Sequence, residues 1–181
     1  SLYESGSTMV TLNDDGEYIM PASDVTMYAI WEGEDEEIDF TWIGENRKVT
    51  ITGYTGSAAK VEIPETINGW PVTAIGDNAF AGMAEINTVV LPATVTTIGK
   101  AAFDGCEMLR SCALPDGLEA IGSYAFRGTA LSVVTIPDSV TDVGLGAFAN
   151  NTSLYQLHIG SGAENLGAED FTGDTRLSKI L

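Results

Sequence analysis

The sequence predicts a repeat solenoid, because aromatic, glycine and proline residues recur in it with a nearly constant period. Neighbouring phenylalanines lie 23, 23, 22 and 23 residues apart, and five glycines keep the same spacing. A fixed period of this length is the signature of architectures in which one supersecondary unit stacks on the next. The recurring residues are Phe80, Phe103, Phe126, Phe148 and Phe171, Gly76, Gly99, Gly122, Gly144 and Gly167, and Pro64, Pro92, Pro115 and Pro137.

Each unit predicts one short parallel strand and about one helical turn within about 23 residues. It reads L-x-x-V-x-I/L-P, then five or six residues, then I-G-x-x-A-F. The alternating V-x-I/L segment is typical of a strand with one buried face, and proline ends it because it has no N–H group for the ladder. Glycine allows a tight bend before the helical turn. Because one unit cannot bury its own apolar face, we expect stacked units with continuous columns of Phe, Leu and Ile.

Several units depart from this pattern. The first gap is longer because "INGW" adds a turn at Asn68-Gly69, and Gly160 replaces the last proline. One residue is missing after Arg127-Gly128. Asp170 stands where the other units have alanine, which predicts a last unit that is frayed or a modified end. The corresponding alanines are Ala79, Ala102, Ala125 and Ala147.

The region before the repeats divides into three predicted parts. Residues 1–33 contain a predicted strand, because Val25, Met27, Ala29 and Trp31 follow a period of two. Residues 34–37 form an acidic linker within a run of six acids from Glu32 to Asp39. A calcium site is the alternative for that run, although its spacing matches no EF-hand loop. Residues 38–181 form the solenoid, and "IDFTWI" and "KVTITGY" predict a hairpin that caps its first edge.

The repeated phrase "IPDSVTDVGLGAFANNTSL" and its sister copies resemble the BspA-like leucine-rich repeats of bacterial surface proteins, over residues 38–181. The stretch "MPASDVTMYAIW" resembles the closing strand of the InlB B-repeat family, whose members are small β-grasp-like modules. Residues 1–33 would hold only part of such a module. The first resemblance implies an extracellular or cell-surface protein of bacteria that takes part in adhesion to host matrix or to other cells.

Charge and hydropathy exclude several partners. The formal net charge is −18, and no Lys or Arg precedes Arg47, so the chain repels phosphate backbones and anionic membrane surfaces. We therefore expect no nucleic-acid binding. No apolar run reaches the roughly 18 residues needed to cross a bilayer, so no membrane insertion is expected. Because the chain starts at Ser1, we interpret it as a mature or excised fragment.

The residues favour a protein that is not an enzyme and binds no cofactor or metal. A nucleophilic triad would have to use the one histidine, His158, which falls on a predicted exposed strand position. Cys106 and Cys112 are predicted to be free buried thiols, with a disulfide as the alternative. Too few His and Cys residues exist for the usual zinc sites, and no phosphate-binding loop is present. Carboxylates are plentiful, but no glycosidase-like pair stands out from the repeats.

The outward face of the predicted strands is the candidate partner-binding face. If Val89, Cys112, Val134 and Leu157 point into the core, their neighbours form two outward rows with few charges. Such a surface favours partner contact, whereas β-propensity alone is the competing explanation, because Thr and Val suit any exposed strand. The rows comprise Lys60, Thr88, Ser111, Val133, Gln156 and Lys179, and Glu62, Val90, Ala113, Thr135 and His158.

The sequence therefore predicts a non-catalytic binding module for a protein or glycan ligand on host matrix or on another cell surface. Solenoids suit this role because they present extended surfaces without a pocket. The alternative is a structural spacer or stalk in a multi-domain surface protein. An open C-terminal edge of the solenoid makes a dimer through that edge plausible.

Overall fold

The computed structural model describes residues 2–4, 27–29, 39–163, 165–166 and 168–181. Strands account for almost all of its regular structure, and the one helical element within the described residues is a short 3-10 turn. The elements are β1 (Leu2–Glu4), β2 (Met27–Ala29), β3 (Phe40–Glu45), β4 (Lys48–Tyr54), β5 (Lys60–Glu62), β6 (Thr66–Ile67), β7 (Trp70–Ile75), β8 (Thr88–Val90), β9 (Thr97–Ile98), β10 (Ser111–Ala113), β11 (Ala120–Ile121), β12 (Val133–Ile136), β13 (Asp142–Val143), β14 (Gln156–Ile159), the 3-10 turn Ala168–Phe171 and β15 (Lys179–Ile180).

The predicted strand of each unit is present, and these strands run parallel. β5, β8 and β10 form one three-stranded sheet, and β12, β14 and β15 form another. Inside each sheet the register steps by one whole unit, as in the pairing of Val61 with Val89 and of Val89 with Cys112. β5, β8, β10 and β12 each end before the proline of their unit, in agreement with the role predicted for that residue.

A second parallel ladder runs along the solenoid, so the prediction of one strand per unit is wrong. The two residues before the glycine form the short strands β9, β11 and β13, and these follow the longer β7 in a ladder of the order β7, β9, β11 and β13. Ile75, Ile98 and Ile121 occupy equivalent places in this ladder and are buried. Two residues are too few to show an alternating pattern, which explains why hydrophobic periodicity missed these strands.

The predicted helical turn is absent from the units that precede the last one. In an α-helix each backbone amide donates a hydrogen bond to the carbonyl four residues earlier in the same helix. Each repeat unit forms one coil of the solenoid. Here the Phe80 amide donates to the Ala102 carbonyl of the next coil at 2.8 Å, while the Met83 amide donates to the Phe80 carbonyl of its own coil at 3.2 Å. Asn78 adopts a φ of 58°, which a right-handed helix does not allow. Bonds between coils thus replace the bonds of a helix.

The column of phenylalanines is continuous, as predicted. The rings of Phe80 and Phe103 stack at 5.0 Å between centroids, and the rings of Phe126 and Phe148 stack at 5.5 Å. The last ring, Phe171, lies 5.9 Å from Phe148. The four phenylalanines before Phe171 are fully buried. Stacked aromatic rings of this kind add stability beyond the area they bury.

The recurring glycines allow close stacking of coils, and not the bend for which they were predicted. A Cβ atom on Gly122 would lie 2.5 Å from the backbone nitrogen of Lys100, and one on Gly144 would lie 2.3 Å from that of Ser123. Neither glycine has a positive φ. Any side chain at these positions would therefore push neighbouring coils apart.

Two hairpins begin the solenoid. β3 and β4 pair antiparallel, and β4 then pairs in parallel with β7, so the hairpin joins the second ladder. β6 and β7 pair antiparallel around the predicted turn at Asn68 and Gly69, whose φ angles are 52° and 75°. Phe40 and Tyr54 extend the aromatic column toward Phe80. The hairpin of β3 and β4 does not cover β5. Its predicted role as a cap of the solenoid stays a prediction.

The N-terminal part is described only in its strands. β1 pairs antiparallel with β2, and β2 contacts β3 in the register Met27 to Trp42. The strand expected around Met27 and Ala29 is thus present. The acidic run up to residue 38, with its possible calcium site, lies outside the described residues, and the division into 1–33, 34–37 and 38–181 stays a prediction.

The last unit has a modified end. The Asp170 carboxylate is buried and accepts a hydrogen bond of 2.8 Å from the Gly146 amide. In the alanine-containing units a backbone carbonyl of the next coil accepts the corresponding bond, as Leu145 does from Tyr124 at 3.0 Å. Asp170 therefore replaces a backbone acceptor with its side chain.

Candidate functional site: the face of the short parallel strands

The predicted outward rows lie side by side on one face. Lys60, Thr88 and Ser111 are aligned across the first sheet, and Val133, Gln156 and Lys179 across the second. The second row is aligned in the same way and consists of Glu62, Val90, Ala113, Thr135 and His158. All these side chains are exposed or half-buried, which agrees with the predicted alternation. Their role in binding stays a prediction.

This face is nearly neutral in a protein of net charge −18. Lys60 and Glu62 form an ion pair with each other, and both remain exposed. The hydrogen bond from Lys60, together with its charge, lowers the pKa of Glu62. Val90 and Val133 expose 43% and 40% of their surface on the same face. Apolar side chains without surrounding charge are the kind of surface that partner proteins cover.

A seam divides the face into two halves. β10 and β12 are the equivalent strands of two neighbouring units. No ladder joins them among the described residues. Most of the Cα–Cα distances between β10 and β12 exceed 8 Å. Paired strands are about 4.8 Å apart. The sheet that a regular solenoid would continue is therefore open at this point.

The missing residue causes the seam. Thr129 follows Phe126 by three residues, as Cys106 follows Phe103, but its amide donates to the side chain of Asn151 in the next coil at 2.7 Å, whereas the Cys106 amide donates back to the Phe103 carbonyl at 3.2 Å. Leu131 is again a buried column residue. The turn between them is one residue short, and the Ala130 amide donates to the Leu109 carbonyl at 3.0 Å. β12 therefore begins too close to the turn to lie against β10.

The seam holds a cleft of about 360 Å³. Three features of the sequence produce it: the short turn, the small side chains of Ser111 and Ala113, and a cysteine where β8 and β12 have valine. Beyond the strands the coils meet again, because the Ser139 hydroxyl donates to the Asp116 carbonyl at 2.7 Å. The cleft is lined by Arg110, Ser111, Cys112, Ala113, Leu114, Ser132, Val133 and Thr135.

Four lining residues belong to the predicted rows, and four were missed. Arg110 and Ser132 precede their strands, where the rows had not been extended. Cys112 was assigned to the core, and Leu114, which follows its strand, was assigned no role. The 22-residue spacing between Phe126 and Phe148 was the signal that could have located them. A residue lost from a turn shifts the strand that follows, and small residues opposite that strand leave space.

The two cysteines are free. Cys106 is buried as predicted, whereas Cys112 as a whole residue is half-buried: it lines the cleft and also packs against the core. Burial, and then the nearby Cys106, raise the pKa of the Cys112 thiol to about 12. A thiol of this kind stays protonated near neutral pH, where it is a weak nucleophile.

Chemical groups for catalysis are sparse in the part of the chain that is described. His158 is half-buried and hydrogen-bonds the side chain of Gln156, and it has no carboxylate partner among the described residues. No cluster of three or more His, Cys, Asp or Glu side chains within the described ranges could hold a metal ion. What the face offers is an extended surface with a cleft, which suits binding of another molecule.

Solved structures with the same fold come from several bacteria. The Leucine Rich Repeat protein of T. pallidum (TpLRR) has 29% identity and a TM-score of 0.66, covering 82% of this chain and 81% of its own. A leucine-rich repeat protein from Bacteroides ovatus has 26% identity and a TM-score of 0.53, with 83% of this chain and 47% of its own covered. The pneumococcal vaccine antigen PcpA has 20% identity and a TM-score of 0.66, over 81% of this chain and 37% of its own, and shows the fold alone.

The search of curated proteins found no match to this chain. Within the described residues, no helix has both the length and the apolar character that a membrane span requires. The resemblance of residues 1–33 to an InlB B-repeat stays a prediction. The model of the "BspA type Leucine rich repeat region" matches residues 73–181 in six copies, one more than the five units counted from the phenylalanines. Since this match covers more than half of the chain, the protein belongs to the BspA-type leucine-rich repeat family.

Proposed function

We propose that the chain is a non-catalytic binding module of a secreted or cell-surface bacterial protein, and that it takes part in adhesion. The ligand is a protein or a glycan of host matrix or of another cell, and it docks on the strand face. One observation carries the proposal: the face is nearly free of charge and exposes Val90 and Val133, although the whole chain carries −18. Membership of a bacterial leucine-rich repeat family supports it.

The physical basis is desolvation. Binding removes water from the contact area, and isolated charges there lose more hydration than they regain. The charges in the rows of the strand face are the ion pair of Lys60 with Glu62 and the exposed Lys179, so most of the face loses little hydration on contact. Acidic groups elsewhere on the molecule keep it soluble and disfavour nonspecific contact with anionic surfaces. Specific contact is thereby directed to this face.

A binding screen with two matched variants tests the proposal. The protein is applied to extracellular-matrix proteins and to a glycan array, beside a Val133→Asp/Thr135→Asp variant. The control is Thr97→Asp/Thr141→Asp, which adds the same charge at two exposed positions away from the face. We expect a ligand whose affinity falls at least about tenfold in the first variant and is unchanged in the control. A ligand that binds both variants as well as the wild type would reject the strand face.

The spacer remains the second candidate, and one observation favours it. The aromatic column runs without interruption from Phe40 to Phe171, so the solenoid has a continuous core that resists bending. Absence of any ligand in the screen, with an elongated shape of a longer protein by small-angle scattering, would favour this role.

The proposed dimer through the C-terminal edge is tested by light scattering over a concentration series, and a constant monomer mass counts against it.

A further inference from the structure

The seam exposes backbone groups of two strands. In a parallel ladder, alternate residues bond to opposite neighbours. The Ser111 amide donates to Asn87 beside β8, so the backbone N–H and C=O of Cys112 face the seam. On the other side, Ser132 accepts from Gln156 of β14, so the backbone groups of Val133 and Thr135 face the seam as well. Unpaired strand edges of this kind pair readily with another extended chain.

A cation and three hydroxyls surround these edges. The side chain of Arg110 is exposed and forms no ion pair with any described residue. The hydroxyls of Ser111, Ser132 and Thr135 donate no hydrogen bond within the described part of the chain. Arginine binds a carboxylate through two parallel hydrogen bonds. The cleft thus offers partners for a peptide backbone and for one acidic side chain.

Long-range repulsion does not prevent such a contact. At physiological ionic strength, charges are screened over about 8 Å. Near the cleft, the outward rows contribute no unpaired acid, because Glu62 is neutralised by Lys60. Among the residues that line the cleft, Arg110 is the one with a charged side chain, even though the chain as a whole is acidic.

We infer that the seam between β10 and β12 binds an extended acidic peptide segment of a partner protein. Its backbone pairs with the strand edges at Cys112 and Val133, and one Asp or Glu side chain binds Arg110. This inference rests on the proposed function, because it names the class of partner for the same face. It assigns the specific contact to the place where the repeat is one residue short.

Peptide pools and two variants test the site. Pools of end-blocked hexapeptides with Asp or Glu at one position are compared with pools that carry Asn or Gln there. We expect the acidic pools to bind at least about tenfold more tightly to the wild type, and Arg110→Gln to remove this preference. Insertion of Thr between Thr129 and Ala130 restores the regular spacing and closes the seam, so binding should be lost. Insertion of Thr between Asn68 and Gly69, in an exposed hairpin turn, is the control and should bind as the wild type does.

Three outcomes would overturn the inference. They are equal binding of acidic and amide pools, undiminished binding by the variant with the closed seam, and binding by acidic glycans but by no peptide pool. A Thr88→Asp/Val90→Asp variant distinguishes failure of the seam inference from failure of the proposed function. Both residues lie on the strand face but do not line the cleft. If a screened ligand is lost in that variant while the seam variants keep it, the face binds ligands and the seam site is rejected.

Discussion

Asp174 is a buried carboxylate at the end of a ladder of polar side chains. Thr129 donates from its amide to the Asn151 side chain at 2.7 Å, and the Asn151 amide donates to the Asp174 Oδ1 atom at 2.6 Å. Asn151 also donates from its side chain to the Phe148 carbonyl at 2.7 Å. The Oδ2 atom of Asp174 is buried and has no hydrogen-bond partner among the described residues. Burial raises the pKa of Asp174 to about 7, although the bond from Asn151 lowers it.

Stability should therefore depend on pH through Asp174. Its folded pKa of about 7 lies above the unfolded value of about 3.9, so the folded state binds more protons between these pH values. The free energy of unfolding contributed by this group falls as pH rises from about 4 to about 7. Asp174→Asn should remove this loss of stability at high pH, because the asparagine side chain stays neutral. Its amide group can also donate a hydrogen bond, as the side chain of Asn151 does.

Urea unfolding from pH 4 to pH 8 measures this effect. We expect Asp174→Asn to be more stable than the wild type by about 1–3 kcal/mol at pH 8 and to differ little at pH 4. All other carboxylates are common to both proteins, so the difference isolates Asp174. Parallel curves for the two proteins over the whole range would contradict the assignment.

Much of the residue-scale structure could be predicted from the sequence. Columns such as Phe80 to Phe148 follow from spacing, because a side chain repeated at the same point of each coil meets its own copies. The ladder at Thr129, Asn151 and Asp174 could not, since its members share no residue type. Burial of a polar group shows in sequence only when the same polar residue repeats.

At the scale of elements, the missing residue should limit stability. Insertion of Thr between Thr129 and Ala130 lets β12 pair with β10, which adds several backbone hydrogen bonds. Each contributes about 1 kcal/mol net, so we expect a gain of about 1–3 kcal/mol after the cost of ordering the longer turn. Thermal and urea unfolding measure the gain. The insertion between Asn68 and Gly69 serves as control, and a gain of the same size there would argue against closure of the seam.

The strands and the seam differ in how far sequence could predict them. β8 and β12 were predictable because their alternation spans several residues and a proline follows. The sequence predicted a bend and a helical turn in the region of the two-residue strands β9 and β11. These strands are held by hydrogen bonds to neighbouring coils, and such bonds produce no hydrophobic periodicity within so short a segment. The short turn before β12 was visible in the spacing, but its effect depends on the small side chains of β10 opposite.

At the scale of the whole molecule, function depends on where the repeat is irregular. A regular solenoid satisfies the backbone of every inner strand, so only its ends and its side chains can bind. In this chain the seam provides open strand edges in the middle of the face, beside the exposed Arg110. Arginine is a common anchor in protein interfaces.

Residue-resolved hydrogen exchange of the backbone amides tests this claim most directly. The Cys112 amide faces the seam, whereas the Ala113 amide on the same strand faces β8, so the two form a matched pair. The Thr135 and Val134 amides of β12 form the second pair. We expect the Cys112 and Thr135 amides to exchange at least about tenfold faster than their neighbours, because an open edge leaves them to water. Equal protection within both pairs would mean that β10 and β12 are paired and that the face is not divided.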